Sequence, residues 1–500
     1  MDLKQIVSEL FMIGVDGKQL NDQTIRVLEE IRPGFVILFA RNIESATQVY
    51  DLIRQITRVV GKPVVFAIDQ EGGIVTRLRD GFAVSCGAMA LAATGDRNNA
   101  YLAGRILSKE MKSIGITWNL APVVDINDNP HNPGIGVRSF GDNPQKVITF
   151  STAFYSGLKE MGVAACAKHF PGKGSVSVDA HLDMPTLDKS LEQLERWELL
   201  PFVELIKMGI ESVMPSHIFL PQLQKNKVPA TVSKEIVTGL LREKLSYDGI
   251  AVADDLLMGG ITKNMCVEDA VIESFKAGMD VLTVCHEPAA QQSAVKALLK
   301  KIEDDPKFEN RLKEALTRIR RFKERFSPKN LSSEPFLDFS QDREVMEKIA
   351  EQSITLVSDQ DQMIPVHLSK DDCIITVKTS RLVQVQENEP DVPWIAKELS
   401  KRFSVKLFVV EKDKPVDLSG NACIFFTENA HLYEWQRSAI EKARRNFKKL
   451  LVIALRNPYD CFLFESSSVC SYSYELTSQK ALLKVLLGEI KPIGRLPVEV

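Results

Sequence analysis

The sequence predicts an α/β protein: a (β/α)8 TIM-type barrel followed by a smaller layered αβα domain. Eight short β-branched runs alternate with longer helical patterns through the first 326 residues. The third run, Pro63-Val-Val-Phe-Ala-Ile-Asp69, is apolar up to its closing acid, as a strand buried on both faces of a parallel sheet should be. A proline- and serine-rich stretch then separates this pattern from a second alternation of strands and helices.

The eight expected strands are 11–14, 35–39, 64–69, 116–125, 163–168, 211–216, 249–254 and 280–285. Helical patterns at 22–31, 44–60, 98–113, 144–161, 191–208, 233–245 and 267–277 fall between them. A doubly wound open sheet shows the same alternation, so the strand count leaves that architecture open. One long amphipathic helix is expected over 289–326, where Leu312, Leu316, Ile319, Phe322 and Phe326 keep helical spacing against a basic face. The barrel domain is thus read as 1–326, a linker as 327–345 and a second domain as 346–500. In the second domain, strands are expected at 373–378, 405–410, 423–427 and 450–455, with helices near 394–402, 432–445 and 479–487.

Composition narrows the function classes. Of 500 residues, 44% are hydrophobic and 26% charged, which argues against disorder. The net charge of −3 gives no electrostatic case for nucleic acid or an anionic membrane as partner. No apolar run approaches the roughly 18 residues of a membrane span. The opening Met1-Asp-Leu-Lys-Gln5 has no basic region feeding an apolar stretch, so a cytoplasmic location is expected. The eight cysteines form no C-x-x-C pair and read as reduced thiols, most of them in the core.

In a parallel α/β barrel, reactive groups gather at the C-terminal strand ends. Here those ends carry Asp69-Gln-Glu-Gly-Gly73, Gly136-Val-Arg-Ser-Phe-Gly141, Lys168-His-Phe-Pro-Gly-Lys-Gly174 with Asp179-Ala-His181, then His217, Asp254-Asp255 and His286. Five of the seven histidines, His131, His169, His181, His217 and His286, fall in these loops. Each residue alone has an ordinary structural reading. A strand-terminal aspartate is often a helix cap, and Asp255 is placed to be one. His217 and His286 read first as satisfied structural histidines, and Arg79 as a supporting arginine. Gly172-Lys-Gly-Ser175 is not a phosphate loop, because that loop needs Gly-Lys followed directly by Ser or Thr. No G-x-G-x-x-G follows a strand, and the histidine spacing does not suit a metal, so no cofactor and no metal are expected.

Taken together, these motifs resemble glycoside hydrolase family 3, and within it the two-domain β-N-acetylglucosaminidases (β-hexosaminidases). The resemblance spans nearly the whole chain and rests on five motifs in the family's order. They are Asp69-Gln-Glu-Gly-Gly73 with Arg77, Arg138-Ser-Phe-Gly141, the Lys168–Gly174 run, Asp179-Ala-His181 with Pro185, and Ala253-Asp-Asp-Leu256. The closing Pro492-Ile-Gly-Arg-Leu-Pro497 resembles the end of the family's second domain. The resemblance implies a carbohydrate substrate, with Asp254 as nucleophile, His181 as acid/base and Asp179 as its partner. It also implies that Asp69, Arg77, Arg138, Lys168 and His169 line the sugar subsite.

The implied roles suit the chemistry. A retaining glycosidase needs an ionised carboxylate on one face of the sugar and a proton donor on the other. Imidazole titrates near neutrality, and an adjacent carboxylate fixes its tautomer. Glycines 172 and 174 make a movable loop around the dyad an expectation. The expected activity is release of terminal GlcNAc from peptidoglycan fragments or chito-oligosaccharides, in a setting of peptidoglycan recycling. The alternatives are a phosphorylase yielding GlcNAc-1-phosphate, a non-catalytic sugar-binding barrel, and a family 3 β-glucosidase, against which the histidine–aspartate loop argues. Three positions depart from the family pattern: Lys173 stands for histidine, Ala180 for serine and Ile74 for arginine. The role of the second domain is open, and cleavage is not expected to require it.

Overall fold

The computed structural model describes residues 2–180, 182–328, 337–378, 391–412, 414 and 418–499. The eight barrel strands are β1 (Phe11–Gly14), β2 (Phe35–Leu38), β3 (Val65–Ile68), β4 (Trp118–Asn119), β5 (Ala164–Phe170), β6 (Ser212–Pro215), β7 (Ile250–Ala251) and β8 (Leu282–Val284). They run parallel in the order β7-β6-β5-β4-β3-β2-β1-β8. Ala253 N–H donates to the Val281 carbonyl at 2.9 Å and Asp280 N–H to Ala251 at 2.8 Å, which closes the circle between β7 and β8. The open-sheet alternative is thereby excluded. Every residue of these strands is buried, as strands wrapped by helices must be.

Several expected elements are shortened or broken, among them the seventh strand, which pairs as a ladder only at Ile250–Ala251. The fourth strand has ladder pairing only at Trp118–Asn119, with a separate bridge from Val123 to Lys168. Pro122 between them has no N–H to give to a ladder. The long helix after β8 is two helices, Pro288–Asp304 and Lys307–Phe326. Pro306 cannot donate the helical hydrogen bond at that point, and the Asp305 carboxylate takes the Lys307 N–H at 3.1 Å. The helix expected over 191–208 breaks at Trp197 into Leu191–Arg196 and Leu199–Lys207. The break turns buried Glu198 beneath the loop after β5, with its Oε1 3.2 Å from Ser175 Oγ.

The second sheet has six strands: β9 (Thr355–Ser358), β10 (Cys373–Val377), β11 (Lys406–Val410), β12 (Gly420–Thr427), β13 (Phe447–Ala454) and β14 (Ser467–Cys470). Their order is β11-β10-β12-β13-β14-β9, with β9 antiparallel at the edge. The sequence pattern pointed to four of them. β9 and β14 were missed because they are short, and β14 is polar at Ser467 and Ser468. A helix over Ser340–Ser353 begins inside the stretch read as linker. One apolar core joins both sheets, and Phe82 of the barrel stacks on Phe339 at 5.5 Å. No described helix is long and apolar enough to cross a membrane. Seven cysteines are buried thiols, and Cys266 is exposed.

Candidate active site

The C-terminal ends of β3, β5 and β7 and the loop after β4 build one polar pocket wall by wall. After β3, buried Gln70 pins the chain. Its Oε1 accepts the N–H groups of Arg77 and Leu78 at 2.8 and 3.1 Å, and its backbone pairs with the Asn119 side chain. That brace fixes the turn holding Arg77, which is buried. Asp69 and Glu71 flank Gln70 and face Lys168 at the end of β5. The Lys168 ammonium lies 2.6 Å from Asp69 Oδ1 and 2.7 Å from Glu71 Oε1. Arg138 closes the cluster with a two-pronged contact to Glu71, at 2.9 Å from Nε and 2.8 Å from a terminal nitrogen.

The two carboxylates and the two cations offset one another's charge. Burial opposes ionisation of Glu71, yet Arg138 and Lys168 more than reverse that and hold its carboxyl at about 2. Burial likewise works against the Lys168 charge, and Asp69 with Glu71 hold it above the ordinary lysine value. Asp69 remains partly open on the pocket side, with 14% of its side chain exposed. It therefore presents a charge-assisted acceptor toward the cavity.

His169 follows Lys168 on β5 and is buried, and its Nδ1 pairs with Asp125 Oδ2 at 2.7 Å. Asp125 also accepts the Lys173 N–H at 2.7 Å, so one fully buried carboxylate fixes both His169 and the start of the next loop. Burial raises the Asp125 pKa, opposed by the charge of Lys173. The loop 171–180 is held along its length. Asn132 Nδ2 donates to the carbonyls of Lys173 and Gly174 at 2.7 and 2.8 Å. Gly260 N–H donates to Ala180 at 3.0 Å, which ties the loop to the turn that follows Asp254. The Asp179 carboxylate lies against Gly134, where a methyl group would stand 3.4 Å from its Oδ1. His181, expected as acid/base, lies outside the described residues.

Asp254 follows β7. Its Oδ1 accepts the Asp255 N–H at 2.9 Å. Asp255 does not cap the next helix, which starts at Gly259 after Met258; it accepts from Cys285 N–H at 3.0 Å and Leu257 N–H at 3.3 Å and so ties its turn to the end of β8. Burial pushes the Asp255 pKa up to about 7. His217 is buried and supports this turn, with Nε2 donating to the Asp255 carbonyl at 3.0 Å and Nδ1 beside Thr231 at 2.8 Å. His286 stands half exposed, 3.9 Å from Asp255 and packed on Phe39. The exposed His131 lies outside the cluster.

Lys173 unites the two halves of the pocket. It is 4% exposed and lies in the electrostatic field of Asp254, Arg138, Asp125 and Asp179. Burial lowers its pKa and Asp254 is the strongest opposing influence. Lys173 is expected from the sequence to bring a charge near the dyad, whereas Glu71 and Asp125 are not singled out by it as site residues. Glu71 and Asp125 carried a signal all the same, since each is an acid at a strand end. Ile74 and Ala180, the other departures, are buried. Among the described residues, no group of three or more His, Cys, Asp or Glu is arranged to hold a metal.

The model of the glycosyl hydrolase family 3 N-terminal domain matches residues 2–322, the entire barrel. The chain belongs to glycoside hydrolase family 3. It is accordingly a glycoside hydrolase, in the family's two-domain form. It is 30% identical over 537 residues to β-hexosaminidase A of Pseudoalteromonas piscicida, spanning 93% of this chain and 89% of that protein. The β-hexosaminidase of Idiomarina loihiensis is 34% identical over 282 residues, covering 56% of this chain and 84% of that protein. A family 3 β-N-acetylglucosaminidase structure from Paenibacillus sp. str. FPU-7 superposes with a TM-score of 0.89 at 32% identity, covering 100% of this chain and 99% of that one. The family 3 barrel thus continues into the same second domain in a solved relative.

Proposed function

We propose that this family 3 hydrolase is a retaining exo-β-N-acetylglucosaminidase acting on peptidoglycan fragments or chito-oligosaccharides. Turnover of cell-wall fragments inside the cell is the setting this reading implies. Asp254 attacks the anomeric carbon and forms a glycosyl ester. His181, partnered by Asp179, protonates the leaving oxygen and then draws the proton from the incoming water. Asp69, Arg77, Arg138, Lys168 and His169 recognise the sugar. Donors and acceptors fixed this firmly reject sugars that lack the matching group.

One observation carries the reading. Asp254 follows barrel strand β7, and Gly260 in the segment after it is hydrogen bonded to Ala180, next to Asp179, in the same barrel whose β3 and β5 ends carry the Asp69–Lys168–Glu71–Arg138 cluster. The hexosaminidase names of the relatives support the choice of sugar. Phosphorolysis is the second reading, favoured by the buried Lys173, whose charge interacts with that of Asp254 and would ease the approach of an anionic acceptor.

The test is cleavage of a chromogenic N-acetylglucosaminide beside the matching glucoside, with and without phosphate. Asp254→Asn is expected to lower kcat by roughly 10³-fold or more, and His181→Ala by about 10²- to 10⁴-fold. A fluorinated sugar should leave a covalent adduct on Asp254. GlcNAc-1-phosphate as main product would select the phosphorylase. Activity unchanged in Asp254→Asn would reject the mechanism.

A further inference from the structure

The second domain grips the barrel at the loop after β4. Tyr459 Oη accepts a hydrogen bond from Asn127 Nδ2 at 2.9 Å. The other end of that amide, Asn127 Oδ1, accepts the Gly136 N–H at 3.1 Å. His431 Nε2 donates to the Pro130 carbonyl at 3.0 Å. Asn457 packs so closely on Gly136 that a Cβ there would stand 2.5 Å from its Oδ1, and Gly136 has a φ of +47°. Only glycine suits both the close approach and that backbone.

The gripping side chains are themselves rigid. Asp460 accepts from Thr427 Oγ1 at 2.7 Å, Ala430 N–H at 2.9 Å and His431 N–H at 3.0 Å, and pairs with His431 Nδ1 at 2.7 Å. The His431 ring leans on Tyr459 at 5.2 Å. The gripped segment leads straight into the pocket. Gly136–Arg138 is a single 3-10 turn, and Arg138 holds Glu71. From the same segment, Asn129 and Asn132 hold the carbonyls of the loop that carries Asp179.

We infer that the second domain sets the geometry of the barrel's sugar wall: Tyr459, His431 and Asn457 are positioning residues that hold the segment 127–141, and through it Arg138, in place. The inference rests on the hydrolase reading above for what Arg138 and its neighbours bind. It also replaces the expectation that cleavage does not need the second domain with a defined requirement. The barrel loop alone has no other partner fixing Asn127 Nδ2 among the described contacts. A freed amide leaves the Gly136 turn to find its own conformation.

The experiment uses the full-length protein and three variants. Tyr459→Phe removes one hydroxyl, His431→Asn withdraws the donor from Pro130, and Lys109→Met cuts a different interdomain ion pair, to Asp342. Amide exchange of the segment 127–141 and the KM and kcat for the chromogenic N-acetylglucosaminide are measured on each. Loss of one buried hydrogen bond should raise exchange in 127–141 and KM by about fivefold to tenfold for Tyr459→Phe and His431→Asn, with kcat changing less. Lys109→Met should move neither by more than about twofold. A thermal midpoint checks folding, and Tyr459→Phe keeps the test sharp if His431→Asn proves unstable. Unchanged exchange and KM in Tyr459→Phe, or equal loosening by Lys109→Met, overturns the inference. If the wild type cleaves no N-acetylglucosaminide, the N-acetylglucosaminidase reading fails, and exchange in 127–141 alone decides the grip.

Discussion

Glu71 shows how much one buried residue can hold. It carries two cationic partners, and neither has enough water to stand alone. Glu71→Gln leaves Arg138 and Lys168 with a neutral amide and should cost about 3–5 kcal/mol, read from urea unfolding. Its folded pKa of about 2 lies below the ordinary 4.5, so its contribution is full above pH 4.5 and is lost as pH falls through about 2. Asp255 runs the opposite way. Its folded pKa is raised from 3.8 to about 7, so its contribution is complete below pH 3.8 and lost as pH rises through 7. Urea midpoints of the wild type should therefore decline between pH 4 and 7 relative to Asp255→Asn. A flat difference across that range would show that Asp255 ionises freely. The same burial keeps Asp255 largely neutral below pH 7, next to the nucleophile proposed above.

Among the elements, the loop 171–180 is set by side chains that hold its backbone and by one close backbone contact. A Cβ at Gly174 would lie 1.6 Å from the Ile126 carbonyl oxygen. Gly174→Ala must therefore push the loop off the segment after β4, carrying Asp179 with it. Misplacement of about 1 Å can cost roughly 100-fold, so kcat should drop by about that factor while the protein stays folded. A kcat within twofold of wild type would mean the loop absorbs the methyl elsewhere. The sequence marked this loop by its glycines and its Asp179-Ala-His181 motif, but not its resting place. That place depends on Asn129, Asn132 and Gly260, residues distant in the chain with no pattern of their own.

For the molecule as a whole, the two sheets share one core and several polar ties. Arg79 pairs with Glu475 at 2.6 Å, Asn99 with Gln352 at 2.9 Å, and Arg495 N–H with the Ala93 carbonyl at 2.8 Å. Calorimetry should show a single transition, since neither unit can unfold without exposing the other's apolar surface. Phe339→Ala removes the ring stacked on Phe82 and should destabilise by about 3–5 kcal/mol. Two resolved transitions in the wild type would show that the domains unfold separately.

Strand and helix periodicity, and the acids and glycines at strand ends, are local properties, and local properties are what a sequence prints. They were enough to place eight barrel strands and to gather the segments bearing Asp69, Arg138, Lys168, Asp179 and Asp254 at strand ends; the choice of these five within the segments came from the family resemblance. Periodicity could not foresee the break at Trp197 or the short polar strand β14, because tertiary partners decide those. Nor could it foresee that Glu71 braces two cations, that Asp125 pairs with His169, that Lys173 is buried, or that a tyrosine more than three hundred residues away steadies the arginine loop. Such pairings arise only when the closed barrel and the second sheet bring distant segments within hydrogen-bond range, where low dielectric makes each partner decisive.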